Sequence, residues 1–446
     1  MTSTPSVPPS GDPSGKPPAL GFLRRHAVDL SPLRVSREFR LLFAGQAVSE
    51  IGTEITLVAL PFQVYSLTGS TLAVGLLGLC ELVPLLILSI VGGAMADAVE
   101  RRRMLLVVHA VMALLSLVLA INAARDHSLI WPLYGFAAAA ASGWALIAPS
   151  LRAWPARLVG RELLPSAFAL EWGYGSVAML IGPAIGGVLI GALGLTRTYL
   201  IDVATYGIAL LALWRMRPSP PEPDSPPFGL SAIREGLRFL KGKRVLQSTY
   251  LADLNAMIFG MPMALFPALA VRLGGGPRLL GLLYAAPAAG ALVASLFSGR
   301  AKHVRRQGRA ILIAVGVWGA AIVAFGLART APVALAFLAV AGAGDTVSGI
   351  YRDTIAQSVA GETMRGRVAG IGMSVWTSGP ALGNVEAGLV ASAFGVPFSI
   401  VSGGIACMVG AGLLAWLVPA FRTYDSARPT TRPAPGSAPA PPRTGP

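Results

Sequence analysis

Twelve apolar runs divide the chain, each near the ~20 residues that a bilayer core requires. They cover 39–66, 72–97, 104–124, 129–151, 166–193 and 197–215, then 246–272, 279–299, 309–328, 332–354, 367–394 and 398–421. Most are apolar all round and not on one stripe, which is the pattern of a helix in lipid. They are too long for strands and lack strict alternation. The pattern predicts an all-α integral membrane protein with twelve transmembrane helices. A polar gap sets off an N-terminal six-helix bundle at 39–215 from a C-terminal one at 245–421. In the linker, 216–244, a proline-rich stretch from Pro218 to Pro227 resists helix formation. Phe228 to Leu240 then reads as a short amphipathic helix on the membrane surface, with Arg234, Arg238 and Lys241 toward headgroups. Segments 1–38 and 422–446 are expected to be disordered and cytoplasmic, and 1–19 lacks the apolar core of a signal peptide.

Charge fixes the expected orientation. Only 13% of residues are charged, against about 25% in a soluble domain. The net charge of +15 could suggest nucleic acid, but the basic residues are spread by side and not by face. With both termini inside, 31 of the 36 Lys and Arg fall on the cytoplasmic side; Arg125, Arg197, Arg272, Arg278 and Arg329 fall outside. That split follows the positive-inside rule at every alternation. Arg352 is counted here in the loop after span ten. Cys80 and Cys407 both lie in apolar runs and read as core residues with no disulfide or metal spacing.

The two halves resemble each other. Pro61, Gly75 and Gly93 match Pro267, Gly281 and Gly299 at one offset of 206, and Leu76-Leu77 matches Leu282-Leu283. Gly182-Pro183-Ala-Ile-Gly186 recurs as Gly379-Pro380-Ala-Leu-Gly383. Such repeats are the usual build of secondary transporters, with a site between them near the midplane.

Between spans two and three stands Gly93-Ala-Met-Ala-Asp97-Ala-Val-Glu100-Arg101-Arg102. Gly93 permits close helix packing, Asp97 can pair with Arg or a helix N-terminus, and the arginines anchor the turn. This run resembles the signature of the major facilitator superfamily, Gly-x-x-x-Asp-Arg-x-Gly-Arg-Arg, and departs from it at Ala98 and Glu100. The resemblance implies the major facilitator fold and a cytoplasmic gate formed by Gly93, Asp97, Arg101 and Arg102. In the second half His303 takes the place of Asp97. A second run, Gly182-Pro183-x-x-Gly186-Gly187, is similar to the superfamily's antiporter motif, which implies export; the plain alternative is ordinary helix packing.

Acidic residues inside spans carry the candidate chemistry. A charge at the bilayer centre costs at least ~2.5–3.5 kcal/mol, so such groups must face a cavity, pair, or stay protonated. Glu50 and Glu54 share one helix face with Gln46, and with Glu81 they rank highest for proton coupling. Glu171, Asp253 and Glu386 follow; Asp202, near an outer end, and Asp345, closely followed by polar residues, rank lower, and few basic residues look deep enough to pair with any of them. Gln46, Glu50, Glu54, Trp172, Tyr174, Asn255 and Trp376 are the candidate cavity lining. No phosphate-binding loop and no metal-ligand spacing occurs, so no cofactor is expected.

Phe43-Ala-Gly-Gln46, Ala59-Leu-Pro61-Phe-Gln-Val-Tyr65, Phe266-Pro-Ala-Leu-Ala270 and Arg365-Gly-Arg-Val368 look like the drug:proton antiporter branch of the superfamily. That branch includes macrolide exporters and the enterobactin exporter, and the resemblance spans roughly 35–421. It implies a monomeric, proton-coupled exporter in a bacterial inner membrane, working by alternating access, with a siderophore or similar amphipathic natural product as cargo. A macrolide or multidrug antiporter is the alternative. A non-transporting receptor or assembly partner ranks below both, and an integral-membrane enzyme lacks a visible nucleophile or metal cluster.

Overall fold

The computed structural model describes residues 29–218, 235, 238–299 and 304–425; the side chains of 89–98 and 362–363 also lie outside the described residues. The described chain is helical. The first half comprises α1 (Arg37–Thr68), α2 (Thr71–Ala98), α3 (Arg101–Ala123), α4 (Trp131–Ala153), α5 (161–193) and α6 (195–214). The second comprises α7 (Arg244–Phe259), α8 (Gly276–Leu296), α9 (Gln307–Leu327), α10 (331–360), α11 (362–394) and α12 (Val396–Leu417). Among the described residues nine helical stretches are long and apolar enough to cross a membrane, and one of them, Pro155–Trp214, is long enough to cross twice. Leucines and tryptophans such as Leu114, Leu296 and Trp416 stand 61–76% exposed, which a lipid-facing surface permits and water would not.

Glycine sets the breaks. Gly160 and Gly194 bound α5 with φ of 75° and 79°, and Gly361 and Gly395 bound α11 with φ of 65° and 89°. Side chains with a Cβ avoid that region, so the chain can turn sharply there only at glycine. The two pairs are each 201 residues apart, and they carry the duplication from sequence into backbone.

α7 departs from the continuous run expected over 246–272. It stops at Phe259, passes through Gly260-Met261-Pro262 and a 3₁₀ turn at Met263–Leu265, and resumes as Phe266–Arg272. Pro262 has no backbone N–H, and the freed polar groups find partners: Trp318 Nε1 donates to Gly260 O at 2.9 Å, and Ala264 N donates to Asn384 Oδ1 at 3.0 Å. The surface helix expected at 228–240 falls largely outside the described residues, as does His303.

Two glycine seams join the halves at the end where α1 turns into α2. In the first, an added Cβ at Gly75 on α2 would lie 2.6 Å from Asn384 O and 3.2 Å from Gly388 Cα on α11. In the second, one at Gly187 on α5 would lie 2.9 Å from Gly281 Cα on α8. Without side chains between them the backbones touch, which is how helices associate where lipid removes the hydrophobic drive. At the opposite end Gly173, Gly175, Gly366 and Gly370 have nothing within 4 Å of a built Cβ. The halves therefore meet backbone to backbone at one end; at the other a looser parting is bridged by Arg152 of α4, which reaches Met373 Sδ of α11 at 3.0 Å.

Candidate functional site

The antiporter-like motif works on two sides at once. Gly182 and Gly186 face α1, where a Cβ would stand 2.5 Å from Glu54 Cβ and 3.1 Å from Ile55 Cα respectively. Pro183 and Gly187 face α8 at Gly281. Gly379 and Gly383 repeat the first contact against Met257 and Ile258 of α7. The motif thus sets how deeply α5 beds against the helix that carries Glu54.

Glu171 lies eleven residues before Gly182, so three turns on it shares the face turned to α1. Tyr174 stacks edge-on against Phe43 of α1 at 5.4 Å and lies within electrostatic reach of Glu171 and Glu50. The α1–α5 groove therefore brings Glu171, Tyr174, Glu50 and Glu54 into one ladder, all half-buried. Gln46, 9% exposed, sits one turn before Glu50. Trp172, 79% exposed, continues the stripe of Pro183 on the seam-facing side of α5. Trp376 is 47% exposed on α11.

Above the ladder a small cavity is lined by Leu57 and Pro61 of α1, Glu81 of α2, Met263 at the α7 break, Tyr284 of α8 and Asn384 of α11. Glu81 is its one carboxylate. Tyr284 donates to Met263 O at 3.2 Å.

Four sequence expectations need correcting. Arg352 is not a loop residue: it lies within α10, its side chain 11% exposed, 2.6 Å from Asp253 and 3.4 Å from Asp345. Asp253 is therefore an ion-paired acid and not a lone protonatable one. Asn255 does not line the parting; it donates to Cys407 O of α12 at 2.9 Å, in room left by Gly410. Glu386 shares its face with exposed Leu382 and Leu389, turned from the seam, and does not join the other acids. Asp202 is no end residue: it is 0% exposed, accepting from Ser116 at 2.7 Å and Thr205 at 3.3 Å, with Gly52 of α1 packed against it.

The gate candidates divide. The side chains of Gly93 and Asp97 lie outside the described residues. Arg101 is 6% exposed at the start of α3. Arg102 donates to Leu213 O at 2.9 Å and Trp214 O at 2.7 Å, so it caps the carbonyl end of α6, where a cation is favoured. Sequence reasoning missed the Arg352 cluster and the pocket partners Tyr284 and Asn384. The i, i+7 spacing of Asp345 and Arg352 was the available signal.

Two six-helix halves joined by glycine seams, with carboxylates in the groove beside the parting, define a membrane transporter of the major facilitator type. The chain belongs to the family described as transmembrane secretion effectors, whose profile matches residues 27–445. It is 29% identical over 415 residues to the enterobactin exporter EntS of Citrobacter koseri, covering 92% of this chain and 98% of that one. It is 30% identical over 398 residues to the EntS of Shigella flexneri, with 88% and 94% covered. Its fold is similar to a bacterial homolog of the human lysosomal transporter Spinster, in an inward-facing, unoccupied conformation (TM-score 0.71, 15% identity, 89% and 98% covered). It is also similar to the POT family transporter PepTSo (TM-score 0.70, 15% identity, 87% and 99% covered). The chain is a multi-pass protein of the bacterial inner membrane that moves a small molecule.

Proposed function

We propose that the chain exports a siderophore or similar amphipathic natural product in exchange for protons, by alternating access. The carrying observation is the carboxylate ladder Glu171–Glu50–Glu54 in the groove beside the parting, with no ion pair to any of the three among the described residues. A carboxylate in a water-poor wall is far cheaper to hold protonated than charged, and a proton moving down 100 mV supplies ~2.3 kcal/mol. The positive-inside pattern supports a cytoplasmic location for the parted end, where cargo would enter. Two relatives at 29–30% identity are exporters of enterobactin, which supports a siderophore-like cargo.

The test is cargo-linked proton flux in proteoliposomes, with enterobactin as the first cargo. Wild type is expected to acidify or alkalise the lumen in step with cargo, and Glu50→Gln and Glu54→Gln to lose that link. Full coupled activity in both variants sinks the coupling assignment. Macrolide or multidrug efflux is the second reading, favoured because an acidic wall attracts cationic amphiphiles. Siderophore secretion and drug-panel growth in a deletion strain separate the two.

A further inference from the structure

The cavity holding Glu81 is small and lies at the seams. Its volume is about 60 Å³. At ~10–15 Å³ per water on this measure, it holds a few waters and no organic cargo. It lies directly beneath the shut end: Gly78, one turn from Glu81, has room for a Cβ only by meeting Ala381 O at 2.5 Å. Its walls come from both halves, with Glu81 from the first and Met263, Tyr284 and Asn384 from the second. Glu81 has no hydrogen bond or ion pair to another described residue. The titratable groups around it are few: Cys80 beside it on α2, Tyr284 on α8, and Glu54 one turn below Leu57 on α1. No cation from α1, α2, α7, α8 or α11 lines the cavity.

We infer that this cavity is a proton-binding compartment separate from the cargo route, in which a protonated Glu81 permits the two seams to close and an ionised Glu81 drives them apart. An ionised carboxylate needs a full water shell or a cation, and the closed cavity offers neither. Parting the seams admits water from the shut side. The proton comes from that water, sits on the Glu81 carboxyl while the seams are closed, and returns to water through the α1 carboxylates. The inference rests on the proton-coupled reading and gives it a direction: proton loading at Glu81 resets the protein to the state open at its arginine-rich end. That order is the one an exchanger needs, since the empty carrier returns with a proton and not with cargo.

The experiment reads conformation and needs no cargo. Spin labels go on exposed Thr68→Cys and Ser392→Cys, on opposite halves at the shut end, in the full chain in nanodiscs with Cys80→Ala and Cys407→Ala. In the labelled chain with Glu81 intact, one short distance is expected at pH 5.5. A longer one should grow toward pH 8.5, the ratio changing by up to about tenfold per pH unit for a one-proton linkage. Glu81→Gln is expected to hold the short distance throughout, while Glu81→Asp keeps the response. A flat response with Glu81 intact, or an unaltered response in Glu81→Gln, overturns the inference. Failed cargo transport with the pH response intact sinks the export reading alone; coupled transport with a flat response sinks this one alone.

Discussion

The two halves share a packing scheme and differ in chemistry. Gly182 and Gly186 bed α5 on α1 as Gly379 and Gly383 bed α11 on α7, and each half lends one helix to each seam. At the 206 offset, however, Glu50 and Glu54 of α1 correspond to Ala256 and Gly260 of α7. Where the first half carries a carboxylate, the second has a helix break. Two acids of the second half, Asp253 and Asp345, sit instead on Arg352. Duplication has kept the glycines that fix backbone contacts and left the side chains free to diverge. In the first half Glu50 and Glu54 stand without an ion pair among the described residues, and in the second Asp253 and Asp345 share a cation.

The largest expected effect removes that shared cation. Arg352→Ala leaves Asp253 and Asp345 without their cation in a largely buried site, which costs about 3–5 kcal/mol for such pairs. Denaturant titration in mild detergent should show that loss. Arg352→Met with Asp253→Asn and Asp345→Asn should recover most of it. If the single change leaves stability within error, the pair is not holding α7 to α10.

Next come the seams. A methyl at Gly281 meets Pro183 O and, at 2.9 Å, Gly187 Cα, and backbone cannot yield as a side chain can. Gly281→Ala should disfavour the shut end by about 1–3 kcal/mol, the ordinary cost of overpacking. Gly75→Ala should do the same through the other seam, since it meets Asn384 O at 2.6 Å. Cysteine accessibility at positions 68 and 392 measures both. An effect from one seam only would mean that they do not close as a pair.

Much of this was legible in the sequence because hydropathy and glycine registers are local signals. The spans, with the seventh broken, the duplication and the Gly-Pro motif reappear as helices, φ > 0 breaks and seams. The pairing of Arg352 was not legible: loop and helix end look alike in a run where α10 continues to Gly361, and burial depends on where α7 passes. Asp202 was misplaced for a related reason. Its partners, Ser116 and Gly52, come from α3 and α1, and no spacing rule joins three separate helices. The cavity at Glu81 depends on the α7 break, and Pro262 alone does not say whether a helix runs on, as α1 does through Pro61, or stops.

A smaller effect separates the two glycine beds. A methyl at Gly379 meets Met257 Sδ at 2.9 Å, which can swing away, and Met257 Cβ at 2.8 Å, which moves only with α7. Ala gains about 1 kcal/mol over Gly in a helix, which offsets part of the cost of that small shift in Gly379→Ala. At Gly182 the methyl meets Glu54 Cβ at 2.5 Å, the stem of a ladder carboxylate. Gly182→Ala should therefore alter proton-linked flux as well as costing about 1 kcal/mol of stability, and Gly379→Ala should leave flux unchanged. Equal effects on flux would remove the chemical distinction between the beds.

The smallest effect concerns two polar latches that also repeat. Ahead of α1, Asp29 accepts from Ser31 and, at 2.9 Å, from Ser166 on α5. At the 206 offset stands Glu235, paired at 2.7 Å with Arg367 near the start of α11. The latches should respond to different solvents. The Ser31 hydroxyl, then the Ser31 and Ser166 bonds beside it, hold the Asp29 carboxyl below its usual range. A lowered value means that the latch is fully present above the ordinary carboxylate range and is lost only as pH falls through the lowered value. Salt should hardly touch these neutral-donor bonds. The Glu235–Arg367 pair is exposed on both sides and should weaken as ionic strength rises past ~0.15 M, where the screening length is about 8 Å. Hydrogen exchange at 31–35 and 238–240 across salt and pH reads both. Exchange at 31–35 that rises with salt at neutral pH would show that the first latch is ionic after all, and the two halves would then be tied down by one chemistry and not two.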